Sequence, residues 1–328
     1  MRTRILQMNK QQFIADPSVQ LFIDWFISIT DDEFNHRYCV IPKGNAPVAE
    51  SWNCTSIYNA FQLYYWPFSY KNLIGNKGET VSGTTFTDSE SALHKIKNHL
   101  ETSISNSNNQ EILNACKMVL DWGGVLSRGR KGKTNEDKLI DINTRFGLFN
   151  YLREAKNLLN PETASTTDGF EIHDQQNNGS ILIMNSGFTK IYSILIKDFI
   201  IYDGRVGAGL GLLLSQFKQQ SPHTNVDVLM FAYGNAAKSD KCLNTNMRRN
   251  PSVANLSFSN LFQGQTQEIK SIKHIQNNLK ASWLIDEIKK KLPADSGFLG
   301  EKNPTRALEA ALFMIGNCVN IDCQRNQA

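Results

Sequence analysis

Apolar positions recur along much of this chain every three or four residues, the period of a helix with one buried face. In 19–27, Leu21, Phe22, Trp25 and Phe26 fall on one stripe and predict an amphipathic helix after a polar lead. Tyr58, Phe61 and Tyr65 make a second stripe in the aromatic-rich stretch 54–66, which stops at Pro67 because proline cannot continue a helix. Residues 70–88 hold Gly75, Gly78 and Gly83 among Ser and Thr and read as loop. A capped amphipathic helix follows over 88–100, then a polar turn over 105–109. The next helix, 110–120, ends at Asp121-Trp122-Gly123-Gly124, and helical periodicity resumes over 138–159 up to Asn160-Pro161. Further on, 226–233 is a short apolar element and 234–252 a loop. Apolar positions from Ile269 to Ile288 predict a helix over 266–291, and 304–316 predicts another, with Pro304 near its start and Gly316 at its end. The pattern predicts a mainly α protein: a helical lobe over 1–160, a polar loop or boundary over 161–180, and a second helical lobe over 181–328.

Residues 181–214 are the most apolar part of the chain, and their polar interruptions divide them. Asn185-Ser186-Gly187 predicts a turn; 189–196 is a short helix or a strand; Lys197-Asp198 is a second turn; 199–202 is extended. Asp203 then stands where an N-cap belongs, ahead of an apolar helix. Gly204, Gly207, Gly209 and Gly211 each weaken that helix by roughly 1 kcal/mol relative to alanine. Such a cost is tolerated where a second backbone approaches closely, either a neighbouring helix or a nucleic-acid strand.

Composition adds limits. Hydrophobic residues are 41% of the 328, charged residues 20%, and the formal net charge is +4. That balance suits an ordinary globular protein and a polyanionic partner, without the strong basicity of a dedicated nucleic-acid binder. No apolar run is long enough for a membrane span, and the first residues lack the apolar core of a signal peptide, so a cytoplasmic protein with no membrane partner is expected. The cysteines at 39, 54, 116, 242, 318 and 323 form no Cys-x-x-Cys pair and have no accompanying histidines, so reduced core thiols are expected, with no metal and no cofactor. One strongly basic run stands out, Arg128-Gly-Arg130-Lys131-Gly-Lys133; it is either a solvated loop or a loop that wraps a phosphate backbone. The loop 234–252 adds Lys238, Lys241, Arg248 and Arg249.

An aspartate at a helix N-terminus is held ionised by the dipole and the free N–H groups. Beside a pocket, such a carboxylate can stabilise the oxocarbenium-like transition state of glycosidic cleavage. A lysine one element earlier offers either a cation for phosphate or an amine nucleophile. Each residue also has a plain reading, Asp203 as a cap and Lys190 as a solvated side chain.

The runs Gly187-Phe188-Thr189-Lys190-Ile191 and Ile201-Tyr202-Asp203-Gly204-Arg205-Val206 resemble the hairpin and the catalytic-aspartate motif of the helix-hairpin-helix DNA glycosylase superfamily. The stretches 121–124 and 306–313 are similar to bacterial proteins with an 8-oxoguanine DNA glycosylase-like fold. The resemblance implies a two-lobed helical fold and a monomer that acts on double-stranded DNA, flips out a damaged or modified base and leaves an abasic site. Asp203 would be the catalytic aspartate, and Lys190 the lysine that bifunctional members use to attack the sugar C1′, giving an abasic-site lyase activity. Gly187 and Thr189 would contact phosphate through the hairpin. Arg128, Arg130, Lys131, Arg205, Arg248 and Arg249 would add cationic contacts to DNA. Trp122, Trp66, Phe188 and Trp283, together with Tyr65, are the aromatic candidates for a base pocket or wedge, each with core packing as the competing reading. The excised base is 8-oxoguanine by resemblance, or a modified cytosine of phage DNA, so the setting is base-excision repair or antiviral defence. The other reading is a non-catalytic DNA-binding protein of a bacterial defence complex.

Overall fold

The structure, a computed structural model, describes residues 8–40, 50–76, 78–174, 176–235 and 249–319. Among the described residues the chain forms eleven α-helices and three two-stranded antiparallel sheets, so it is mainly helical. In order these are α1 (Lys10–Ala15), α2 (Pro17–Ser28), β1 (His36–Val40), β2 (Glu50–Cys54), α3 (Ile57–Gln62), β3 (Phe68–Lys71), β4 (Thr80–Gly83), α4 (Phe86–Ser105) and α5 (Asn109–Trp122). There follow α6 (Asn135–Arg145), α7 (Leu148–Leu158), β5 (Glu171–His173), β6 (Gly179–Ile181), α8 (Phe188–Leu195), α9 (Gly204–Gln220), α10 (Gln267–Lys291) and α11 (Pro304–Ile315). None of the described helices is long and apolar enough to cross a membrane.

The chain folds as two compact units that interleave in sequence. The first comprises 1–64, 202–263 and 280–328; the second comprises 65–201 and 264–279. The polar stretch 161–180 therefore lies inside the second unit. Helix α10 belongs to the second unit up to Leu279 and to the first from Lys280.

In the first unit α11 packs on α3 and on α9, and α2 packs on α9. The apolar stripe read over 19–27 makes the last of these contacts: Phe22 meets the ring of Phe217 at 5.5 Å, edge to face. Asp286 is a buried carboxylate, and burial opposes its charge. Hydrogen bonds from Lys10, Lys290 and Lys289 outweigh that and hold it well below the usual carboxylate range. His36, on β1, is buried with its Nε2 at 2.8 Å from the Cys318 carbonyl and 3.2 Å from that of Ile315. Burial drives its pKa from 6.5 to about 4, against the raising effect of the two carbonyls. The unfolded chain thus takes up this proton near 6.5 and the native protein only near 4, so stability present above pH 6.5 is lost as pH falls through that window. Thermal melts followed by circular dichroism are expected to show a falling midpoint as the pH is lowered from neutral into this window. The fall should be shallower in His36→Gln.

In the second unit α4 lies on α5, and α8 packs against both. Helix α4 starts with a capping box, Thr85 accepting from the Asp88 amide and Asp88 accepting from the Thr85 amide. The tyrosines of α7 and α8 fix the chain before α8: the Tyr151 hydroxyl accepts from the Ile183 amide at 2.9 Å, and the Tyr192 hydroxyl donates to the Ile183 carbonyl at 2.9 Å.

Three segments depart from the expectation. Residues 70–88 are not simply loop: β3 and β4 pair from Phe68–Gly83 to Lys71–Thr80, with Phe68 and Tyr70 turned inward on alternate positions. The helical signal over 138–159 is two helices, because Gly147 takes φ 71°, a left-handed conformation that breaks the run between α6 and α7. Part of the polar stretch 161–180 forms the β5–β6 hairpin, its turn held by Asp174, whose Oδ1 accepts from the amides of Gln176 and Asn178 at 2.9 Å each.

Candidate active site

The two catalytic candidates fall in different units, Lys190 in the second and Asp203 in the first. Helix α8 begins at the Asn185-Ser186-Gly187 turn, as the sequence predicts. The Asn185 side chain makes the cap: its Oδ1 accepts from the amides of Gly187 at 2.7 Å and Phe188 at 3.1 Å. Its Nδ2 donates to Asn135 Oδ1 at 3.1 Å, and Asn135 in turn donates to the Val125 carbonyl at 2.9 Å. These two asparagines tie the start of α8 to the chain following α5. The element immediately ahead of this turn is the β5–β6 hairpin, and the nearest upstream helix is α7.

Lys190 lies in the first turn of α8 and is only 6% exposed. A cation there opposes the helix dipole. Its Nζ donates to the Ser186 carbonyl at 2.5 Å. Its stem lies over Gly123, the residue that ends α5, so a Cβ on Gly123 would sit 2.6 Å from Lys190 Cδ and 2.7 Å from Cε. The Asp121-Trp122-Gly123-Gly124 stretch and Lys190 are thus brought together, at a helix C-terminus whose carbonyls favour a positive charge.

The amides of the turn are committed. Besides Gly187 and Phe188, the Thr189 amide donates to the Asn185 carbonyl at 3.0 Å. The Thr189 side chain is fully buried, with Oγ1 accepting from Asn278 Nδ2 at 2.7 Å. Gly187 is buried as well, a Cβ there meeting Asn135 Nδ2 at 2.6 Å. The resemblance put Gly187 and Thr189 on DNA phosphate; in this structure both N–H groups donate to Asn185.

Asp203 N-caps α9, its Oδ1 accepting from the amides of Arg205 at 2.8 Å and Val206 at 3.1 Å. Asp203 is half-buried, and these two bonds orient its carboxylate. The glycines behind it answer the question their cost raised. A Cβ on Gly204 would lie 2.7 Å from Gly234 Cα, and one on Gly207 would overlap the Ala232 carbonyl oxygen. One on Gly209 would lie 2.5 Å from the Leu312 carbonyl of α11. The close backbone is therefore protein: α9 runs directly against 232–234 on one side and α11 on another. Tyr202 seals this contact with a 2.6 Å hydrogen bond to the Ala232 carbonyl, and burial raises its phenol well above 10.

Arg205 stacks its guanidinium on Phe313 at 4.4 Å from the ring centroid. Arg249 donates from Nε to the Asn317 carbonyl at 3.5 Å, and Arg248, Lys238 and Lys241 lie outside the described residues. Arg128, Arg130, Lys131 and Lys133 are exposed in the loop that leaves the end of α5, and no described carboxylate lies within ion-pair distance of them. Of the aromatic candidates, Trp283 is fully buried against Phe13, and Phe188 is 1% exposed against Tyr192, both enclosed in packing. Trp122 is 4% exposed beside Phe68, with an indole N–H that is buried and meets no acceptor. Trp66 is half-buried and Tyr65 is 60% exposed.

Cys54, Cys116 and Cys318 are buried thiols, and burial pushes the first two up to about 12. Among the described residues no group of three His, Cys, Asp or Glu side chains is placed to hold a metal ion. No protein-family model matches the chain, and no curated protein or solved structure matches it either.

Proposed function

We propose that this protein is a DNA glycosylase of the helix-hairpin-helix kind. The observation that carries the reading is the Asp203 carboxylate, fixed at the start of α9 by two backbone amides and preceded in the chain by a helix bearing Lys190 in its first turn. In this reading duplex DNA is held through the exposed cations of 128–133, and one nucleotide is turned out of the stack. As the bond from C1′ to the base breaks, its electron pair leaves with the base, and positive charge grows on the sugar. The Asp203 carboxylate, at the N-terminus of α9, stabilises that charge. Water then adds at C1′, and the proton it gives up goes to the departing base.

A panel of duplexes tests the activity. Each carries one 8-oxoguanine, one modified cytosine of the phage type, or no lesion, and is treated with alkali after incubation. The expected result is strand cleavage at the position of one modified base. Intact strands throughout, with salt-dependent binding retained, would leave a DNA-binding protein without catalysis. Activity on the phage-type base and none on oxidised guanine assigns antiviral defence; the reverse preference assigns repair. Borohydride trapping of a protein–DNA adduct tests Lys190: an adduct formed by the wild type and lost in Lys190→Gln would make that amine the nucleophile, because only an amine forms the reducible imine. No adduct, with alkali still revealing abasic sites, would leave a monofunctional enzyme that stops at the abasic site.

A further inference from the structure

The second unit holds a cavity of about 300 Å³ between the β3–β4 hairpin and the first three turns of α4. Its apolar wall follows from the alternation of a strand. Strand β3 turns Phe68 and Tyr70 inward, Val81 stands opposite Tyr70 on β4, and α4 adds Ala92. The two rings of β3 are 6.4 Å apart and inclined by only 24°. Tyr70 is 4% exposed, yet its hydroxyl has no hydrogen-bond partner among the described residues, and burial alone raises its phenol. A buried hydroxyl without a partner is costly, and native interiors avoid it. This one is not sealed away from water as the indole N–H of Trp122 is, so it opens onto the cavity that Tyr70 lines.

Two further donors stand on the facing helix. Ser91 and Lys95 are four residues apart on α4, which sets them on one face, roughly 6 Å apart at Cβ. No carboxylate of the described residues lies within ion-pair distance of Lys95. The wall also carries two carboxylates. Asp88 is committed to the helix cap, its Oδ2 accepting from the amides of Thr84 at 3.1 Å and Thr85 at 3.0 Å. Glu79 is exposed.

We propose that this cavity binds a small monocarboxylate with an aromatic or aliphatic body, its carboxylate accepting from Lys95, Ser91 and the Tyr70 hydroxyl. The body lies against Phe68, Val81 and Ala92, where its apolar surface leaves water. The ammonium supplies a charge-assisted bond, and the ligand gives the Tyr70 hydroxyl the acceptor that the protein withholds. Glu79 opposes a second negative charge, which selects a monoanion, and the volume limits the body to about one ring. Nothing in this site depends on the reading of Asp203.

Three probes with one body test it: 3-phenylpropanoate, 3-phenylpropanamide and 3-phenylpropylamine, each titrated calorimetrically into the full chain. The carboxylate is expected to bind about tenfold more tightly than the amide or the amine. Lys95→Gln should lose about tenfold for the carboxylate and leave the amide unchanged. Tyr70→Phe should also lose about tenfold, and its melting temperature without ligand should not fall, because the deleted hydroxyl has no bond to lose. Saturating 3-phenylpropanoate should raise the wild-type melting temperature more than that of Tyr70→Phe. A folded wild type that does not bind the carboxylate, or that binds the amide or the amine as well or better, overturns the site. Undiminished carboxylate binding in both variants overturns it too. A ligand-free Tyr70→Phe that melts well below the wild type makes the hydroxyl a structural group and overturns its role in binding.

Discussion

Asp203→Asn is expected to lower base excision by about a thousandfold while leaving DNA affinity and melting temperature close to those of the wild type. The substitution separates two roles that one carboxylate fills. Asparagine is as good an N-cap as aspartate, so the hydrogen bonds from the Arg205 and Val206 amides survive through the amide oxygen. What disappears is the negative charge, the part of the group that stabilises a sugar cation. Asp203→Ala removes both roles, and should cost about 1 kcal/mol of stability in addition to the activity. Single-turnover excision at saturating enzyme gives the chemical step, and a binding titration on the same duplex gives the affinity. If Asp203→Asn excises at the wild-type rate, the carboxylate is a cap and nothing more.

Gly207→Val is expected to destabilise the first unit by about 3 kcal/mol or more. A side chain at 207 would enter the space of the Ala232 carbonyl oxygen and lie 2.8 Å from the Tyr202 hydroxyl. Neither can retreat, since the two hydrogen-bond each other in the interior. Valine also brings branching that a helix tolerates less well than alanine. Gly169→Ala is the matched control: nothing lies within 4 Å of the Cβ it would add, and its stability should stay within about 0.5 kcal/mol of the wild type. Urea titration of both variants reads the difference directly. Equal midpoints would mean that α9 does not press closely on 232–234.

The same two residues show what a sequence discloses and what it withholds. Asp203 is legible as a cap, because an aspartate before an apolar helix is a local signal and the hydrogen bonds that realise it reach only two and three residues ahead. The start of α11 at Pro304 and the end of α5 at Gly123 follow from equally local chemistry. Glycines 204, 207 and 209 announce a close approach without naming the partner, since the partner backbone at 232–234 and 312 is remote in the chain. For the same reason Asn135 and Asn185 are invisible as a pair: each is an ordinary polar residue until the fold sets them 3.1 Å apart. The short strands β3 and β4 are hidden because four residues with glycine and serine nearby carry too little alternation to separate strand from loop. Trp283 and Phe188 suit a pocket or the core on sequence alone; burial places them in the core.

The most direct measurement is mass spectrometry of the small molecules released when the protein is incubated with duplex DNA carrying either an oxidised guanine or a phage-type modified cytosine. The glycosylase account predicts one free base, equimolar with new abasic sites, from the wild type and about a thousandfold less from Asp203→Asn. DNA that remains fully intact with the wild type, or the same yield of free base from both proteins, would contradict it.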